Sequence, residues 1–182
     1  LASSNGKGFP VVAFGHGYRM PVRYYQNIWT ALVPRGYVVV LPTIEKKMFP
    51  CHSEFGLDLV FALKHMMTEN SDSSSIFYRR LSTKSCLMGH SMGGGITIRC
   101  LVVDPSIDAA VLYGSMNADE RTNYERVLYW TDGERGQREL ETPAEDLARI
   151  SPATYLADIS APVSIHHSVD DATVPVEWSE AL

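Results

Sequence analysis

The chain has 182 residues, 45% of them hydrophobic and 20% charged, with a formal net charge of −5. That length supports one domain with a sizeable core rather than two, and the negative charge, with no basic cluster, excludes a general nucleic-acid binder. Cys51, Cys86 and Cys100 have no metal-ligand spacing, no run of about 18 apolar residues is present to span a bilayer, and no charged-then-apolar leader opens the chain.

In chain order, residues 1 to 8 are small and polar and read as a loop. The apolar run from Phe9 to Phe14, closed by Gly15-His16-Gly17, predicts a buried parallel strand. Val22, Tyr25, Ile28, Trp29 and Leu32 then recur near helical spacing up to Pro34-Arg35-Gly36, and Tyr37 to Pro42 reads as a second buried strand. Strand, helix and strand make a βαβ unit, which is right-handed. Residues 43 to 53, with Lys46, Lys47, Pro50 and Cys51, form a loop whose His52 reads as a solvated side chain. Apolar residues from Leu57 to Met67 predict a helix from Glu54 to Met67, in which Asp58 is a buried or capping contact, and the serine-rich stretch 68 to 84 reads as a surface loop.

The most informative stretch follows. Ser85-Cys86-Leu87-Met88 is a strand that breaks into Gly89-His90-Ser91-Met92-Gly93-Gly94-Gly95 and passes into the helical segment 93 to 103. In such a strand-to-helix elbow the middle residue takes a strained conformation that exposes its side chain, and glycines flank it because a Cβ would clash. Ser91 is that residue. Its hydroxyl stands at the carboxyl end of a strand and at the amino end of a helix, whose N–H groups favour developing negative charge, so the position suits acyl chemistry. Cys86 and Cys100, in the strand and the helix, read as small buried hydrophobes.

Gly-His-Ser-Met-Gly-Gly-Gly resembles the nucleophile elbow of esterases and peptidases of the α/β-hydrolase superfamily, with Ser91 as the catalytic nucleophile. The superfamily keeps a His-Gly element after an earlier strand, matched here by Gly15-His16-Gly17-Tyr18. The resemblance therefore implies that the backbone N–H groups of Tyr18 and Met92 form the oxyanion hole. His16 is then a loop-bracing side chain, and the Tyr18 ring either offers its hydroxyl to the oxyanion or walls the cleft. Residues 11 to 95 also resemble, more loosely, secreted or periplasmic esterases related to dienelactone hydrolases and chlorophyllases.

Beyond the elbow, Ile107 to Ser115 supplies the next strand, and residues 116 to 150 turn charged, with one apolar stripe of Tyr124, Val127, Leu128, Tyr129 and Trp130. This insertion is either a lid over the cleft or a solvated helical excursion. Val163 to His167 is a further strand, and with Ser168-Val169-Asp170-Asp171-Ala172-Thr173-Val174-Pro175 it resembles the prolyl-oligopeptidase-like branch, whose triad acid falls on Asp171 rather than Asp170. Ser168 stands where family members more often have glycine. The stretch from Ala110 to Asn123 supports the same branch.

A serine hydroxyl needs a base to take its proton, and a carboxylate to orient that base, in the chain order Ser, Asp, His. Ser91 and Asp171 follow that order, but none of His16, His52, His65, His90, His166 or His167 lies after the acid. The base is expected beyond Leu182, in a longer protein of which this is an almost inactive piece.

The expected fold is α/β, a single α/β-hydrolase domain truncated before its last strand and helix. Its mainly parallel strands lie near 10 to 15, 37 to 42, 85 to 90, 109 to 114 and 162 to 167, with helices on both faces. The expected function is a serine esterase acting on a small-molecule ester. A prolyl-oligopeptidase-type peptidase and a non-catalytic hydrolase-fold binding protein are the alternatives. No metal or organic cofactor is implied, and neither a nucleic-acid partner nor a membrane span is expected.

Overall fold

The computed structural model describes residues 8 to 43 and 50 to 182. The first seven residues, and residues 44 to 49 of the 43 to 53 loop with Lys46 and Lys47, lie outside the described residues. Five strands, β1 (Phe9–Gly15), β2 (Val38–Val40), β3 (Leu81–His90), β4 (Ala109–Tyr113) and β5 (Val163–His166), form one sheet in the order β2-β1-β3-β4-β5. Every neighbouring pair is parallel.

A parallel strand covered on both faces reads as a continuous apolar run, and β1 is the example. Its Val11 and Ala13 are fully buried against one layer, where Phe55, Leu59, Leu63 and Met66 of α2 (His52–Ser71) meet Ile96, Cys100 and Leu101 of α3 (Met92–Val103). Its Val12 and Phe14 are buried outside that cluster. Phe14 meets the ring of Tyr25 at 4.6 Å between centroids, at the end of the 3₁₀ turn Val22–Tyr25 that leads into α1 (Gln26–Leu32). Each fully buried Leu or Phe contributes about 1.5–3 kcal/mol. Cys100 is buried in this layer as expected, whereas Cys86 on β3 is only half-buried; burial pushes the Cys86 thiol up to about 11 and the Cys100 thiol up to about 12.

The boundaries of the serine-rich stretch differ from expectation. The preceding helix runs on to Ser71 and β3 begins at Leu81, so the loop shrinks to residues 72 to 80. Leu81 is buried and pairs with Phe9, and Asn70 clasps it, accepting its N–H at 2.9 Å and donating to its carbonyl at 3.4 Å. Those partners are tertiary, so polar composition alone reads as solvent-exposed loop.

Past β4 the chain runs through α4 (Glu120–Trp130), α5 (Gln137–Leu140), α6 (Ala144–Ile150) and the 3₁₀ segment Pro152–Asp158 before entering β5, and α7 (Glu177–Glu180) comes last. Asp119 caps α4 by accepting the Thr122 N–H at 2.8 Å. Among the described residues no helix is long and apolar enough to cross a membrane.

The connection from β1 leads outward to β2, and that from β3 leads the other way to β4. The carboxyl ends of β1 and β3, where Gly15 pairs with Gly89, therefore flank the topological switch point, the place where open α/β sheets bind ligands.

Candidate active site

Ser91 joins β3 to α3 with φ +53° and ψ −116°, a backbone conformation that residues with a Cβ rarely adopt. The strain persists because the turn is held on every side. The Ser91 N–H donates to the Tyr113 carbonyl at 3.1 Å, and its carbonyl accepts from Gly94, Gly95 and Met116 at 3.0–3.2 Å. A Cβ on Gly89 would stand 2.2 Å from the Gly93 carbonyl oxygen, and one on Gly94 2.7 Å from the Ser115 hydroxyl. The glycines therefore let the helix start fold back onto its own strand and onto the end of β4.

The loop after β1 lies beside the elbow. Its Gly17–Met20 turn is closed by the Met20 N–H to the Gly17 carbonyl at 3.0 Å, with Arg19 at φ +54°. His16 is 1% exposed, donates from Nδ1 to the Gly17 carbonyl at 2.9 Å and packs on Phe55, so it braces the loop. The Gly17 N–H donates to the Tyr25 hydroxyl at 2.7 Å. That hydroxyl also shares a 2.9 Å hydrogen bond with His90 Nδ1.

Ser91, Met92 and Tyr18 line one cleft of about 1010 Å³, together with His52 and Ser53 of α2, Met116, and Tyr124, Val127 and Trp130 of α4. The Met92 N–H is the first of α3, one of the amides for which a helix has no internal partner. The Tyr18 hydroxyl accepts from Arg135 Nη1 at 3.1 Å, and the Arg135 guanidinium lies over the Tyr18 ring at 5.8 Å. Side chains of the charged insertion thus form part of the cleft wall. Its apolar stripe splits, with Tyr124, Val127 and Trp130 lining the cleft and Tyr129 exposed. The insertion is pinned to α3 by an ion pair between Arg99 and the buried Glu120, and Arg99 Nη1 also donates to the Ile150 carbonyl at 2.7 Å.

Asp171 does not line this cleft. It sits past the end of β5, where Oδ1 accepts the N–H groups of Thr173 and Val174 at 2.8 and 2.9 Å, and Oδ2 lies over Gly114 at the end of β4. A Cβ on Gly114, whose φ is +49°, would stand 3.3 Å from that oxygen. Asp170 is exposed. Ser168 is absent from the residues with positive φ, so the turn accommodates its Cβ without backbone strain.

The histidines divide by environment. His167 is committed within the acid turn: Nε2 donates to the Val174 carbonyl at 2.9 Å, and Nδ1 pairs with the Ser179 hydroxyl at 2.6 Å. His90 points to Tyr25; burial pushes its pKa down, and the negative charge of Asp171 opposes that shift. His166 is exposed beside Ser164, and His65 stacks on Phe61. Among the described residues Ser91 is hydrogen-bonded through its backbone alone.

Three neighbours of the candidate residues escaped the sequence: Tyr25 under Gly17, Arg135 over Tyr18, and Arg126, which reaches the acid turn from α4. Tyr25 falls on an apolar helical stripe and reads as core. A buried tyrosine needs a partner for its hydroxyl, and that requirement was the available signal.

No protein-family model matches the chain, and no curated protein matches it. Among solved structures it is similar to the acylaminoacyl peptidase of Pyrococcus horikoshii in its orthorhombic crystal form, with a TM-score of 0.73 and 19% sequence identity. The match covers 97% of this chain but only 30% of the peptidase, so the chain spans less than a third of that protein's length. The parallel five-stranded sheet and this likeness together establish the α/β-hydrolase fold, with Ser91 at the turn between its central strand and the following helix.

Proposed function

We propose that this chain is the core of a serine hydrolase that cleaves carboxylic esters through an acyl-enzyme on Ser91. The observation that carries the reading is the strained Ser91 at the start of α3, in a cleft at the switch point of the sheet. In this mechanism the Ser91 oxygen attacks the acyl carbon while a histidine takes its proton, and the carbonyl oxygen becomes an oxyanion that accepts from the Tyr18 and Met92 amides. Collapse expels the alcohol, which receives the proton from the histidine. Water then repeats the sequence on the acyl-enzyme and releases the acid. Asp171 orients the histidine and stabilises its charged form. The insertion 116 to 150 acts as the lid, and its Tyr124, Val127 and Trp130 suit an apolar acyl group.

The base belongs to residues beyond Leu182. Support for that comes from Ser91 having no histidine partner among the described residues, and from β5, an outer strand whose Val163 and Ile165 are exposed. Both residues line an apolar groove of about 200 Å³ that also holds Leu182. A peptide-bond substrate is the second reading, favoured by the peptidase neighbour.

The test is labelling with a fluorophosphonate probe, read by mass spectrometry, on this chain, on a longer version that continues past Leu182, and on Ser91→Ala of each. The expected result is fast labelling at Ser91 in the longer form alone. Slow labelling of the short form is compatible with the reading, because an oxyanion hole without a complete triad retains roughly 10³-fold catalysis. Labelling of neither form points instead to a hydrolase-fold binding protein. Paired ester and amide substrates of one acyl group then decide between esterase and peptidase.

A further inference from the structure

Arg126, at the middle of α4, is tied to the turn that carries Asp171. Its Nη2 donates to the carbonyls of Ala172 and Thr173, both at 2.9 Å, and its Nε donates to the Thr173 carbonyl at 3.1 Å. The two peptide groups so engaged present their opposite ends to the Asp171 carboxylate, because Oδ1 accepts from Thr173 N–H at 2.8 Å and Val174 N–H at 2.9 Å. Ala172 C=O and Thr173 N–H are the ends of one peptide, and Thr173 C=O and Val174 N–H the ends of the next. A cation at the oxygen end polarises each peptide and strengthens its N–H toward an anion. The guanidinium is itself confined by the rings of Tyr129 and Trp130, at 5.2 and 5.4 Å.

We propose that Arg126 is a positioning residue for Asp171, acting through these two peptide groups. The proposal rests on the serine-hydrolase reading in taking Asp171 as the triad acid. It adds that the helix walling the substrate cleft also sets the aim of that acid, since Tyr124, Val127 and Trp130 of α4 line the cleft while Arg126 holds the turn. A lysine carries the charge but lacks the fork needed to reach both carbonyls, so it restores the arrangement in part.

Arg126→Gln and Arg126→Lys are compared with wild type by two measurements. In this chain, NMR reads the shift and exchange of the Thr173 and Val174 amide protons. In the full-length protein, kcat and KM are measured on an ester. For Arg126→Gln the expected result is roughly tenfold faster exchange at those two amides, with core amides such as Leu87 and Ile98 unchanged. In the full-length protein kcat falls on the order of 10- to 100-fold while KM stays within about threefold, and Arg126→Lys is intermediate in both measurements.

Unchanged Thr173 and Val174 amides overturn the proposal, and so does an unchanged kcat in Arg126→Gln. If wild type neither labels nor turns over but the amides respond, the hydrolase reading fails while the coupling of Arg126 to the Asp171 turn stands. Should Arg126→Gln lose its fold, Arg126→Lys carries the same two measurements.

Discussion

A Cβ on Gly93 would stand 2.1 Å from the carbonyl oxygen of Gly15, so the first turn of α3 rests directly on the end of β1. The obstacle is backbone on both sides and has no side-chain end that can swing aside. Gly93→Ala is expected to destabilise the chain by more than ~3 kcal/mol. At Gly95 the nearest atom to a new Cβ is the Met116 Cβ at 3.1 Å, and alanine gains helix propensity, so Gly95→Ala stays within ~1 kcal/mol of wild type. Urea unfolding of the pair measures the contrast, and equal midpoints would contradict the close approach.

Ser91 stores strain at φ +53°. Glycine adopts that conformation freely, at the cost of a more flexible unfolded chain, so Ser91→Gly is expected to stabilise the fold by about 1 kcal/mol. The same substitution removes the hydroxyl and with it all phosphonate labelling. Gain of stability with loss of labelling separates a strained functional serine from one that merely packs. A loss of stability in Ser91→Gly would show that the serine is there for the fold.

Tyr25 supplies the acceptor for the buried Gly17 N–H at 2.7 Å. Tyr25→Phe leaves that amide unsatisfied, a loss of ~1–3 kcal/mol by thermal or urea unfolding. If the Tyr18 amide serves the oxyanion, the turn that carries it loosens and labelling of the longer form slows as well. Tyr25→Phe with full stability would mean that another group takes over the Gly17 amide.

The Arg99–Glu120 pair holds α4 to α3, and Glu120 is 6% exposed. Glu120→Gln leaves a partly buried guanidinium without its counter-charge, and the expected loss is ~2–4 kcal/mol. Hydrogen exchange should quicken across residues 120 to 150 before it does in α3. Uniform quickening would show that the pair supports the whole fold and not the insertion alone.

His90 links pH to stability. Its pKa is lowered in the folded chain by burial, with Asp171 opposing and Tyr25 and Tyr113 the other ring groups beside it. Below its ordinary value of 6.5 the unfolded chain takes up a proton that the folded chain resists. The His90 contribution to stability is therefore complete above that value and lost as the pH falls through the lowered folded value. Urea midpoints at about pH 7.5 and about pH 5.5 should differ less in His90→Gln than in wild type. Equal differences would remove His90 as the source.

The elements were legible where a single local pattern determined them. β1, β4 and the elbow are short apolar runs closed by glycine or a polar turn; β1 is buried on both faces of the parallel sheet and β4 fully on one, which produces that pattern without help from distant residues. The edges of α2 and β3 were less legible, because Asn70 and Leu81 are held by each other across a loop that composition alone describes as solvent-exposed.

The parallel α/β sheet and the strained serine at its elbow could be read from the residues alone, because the apolar runs and the glycines around Ser91 are local constraints written in adjacent residues. That Tyr25 holds Gly17, that Arg135 lies over Tyr18 and that Arg126 grips the turn of Asp171 emerges from the folded chain. Those contacts join residues far apart in the chain. A phenol or guanidinium has the same covalent chemistry wherever it stands, so only the folded chain selects its partner.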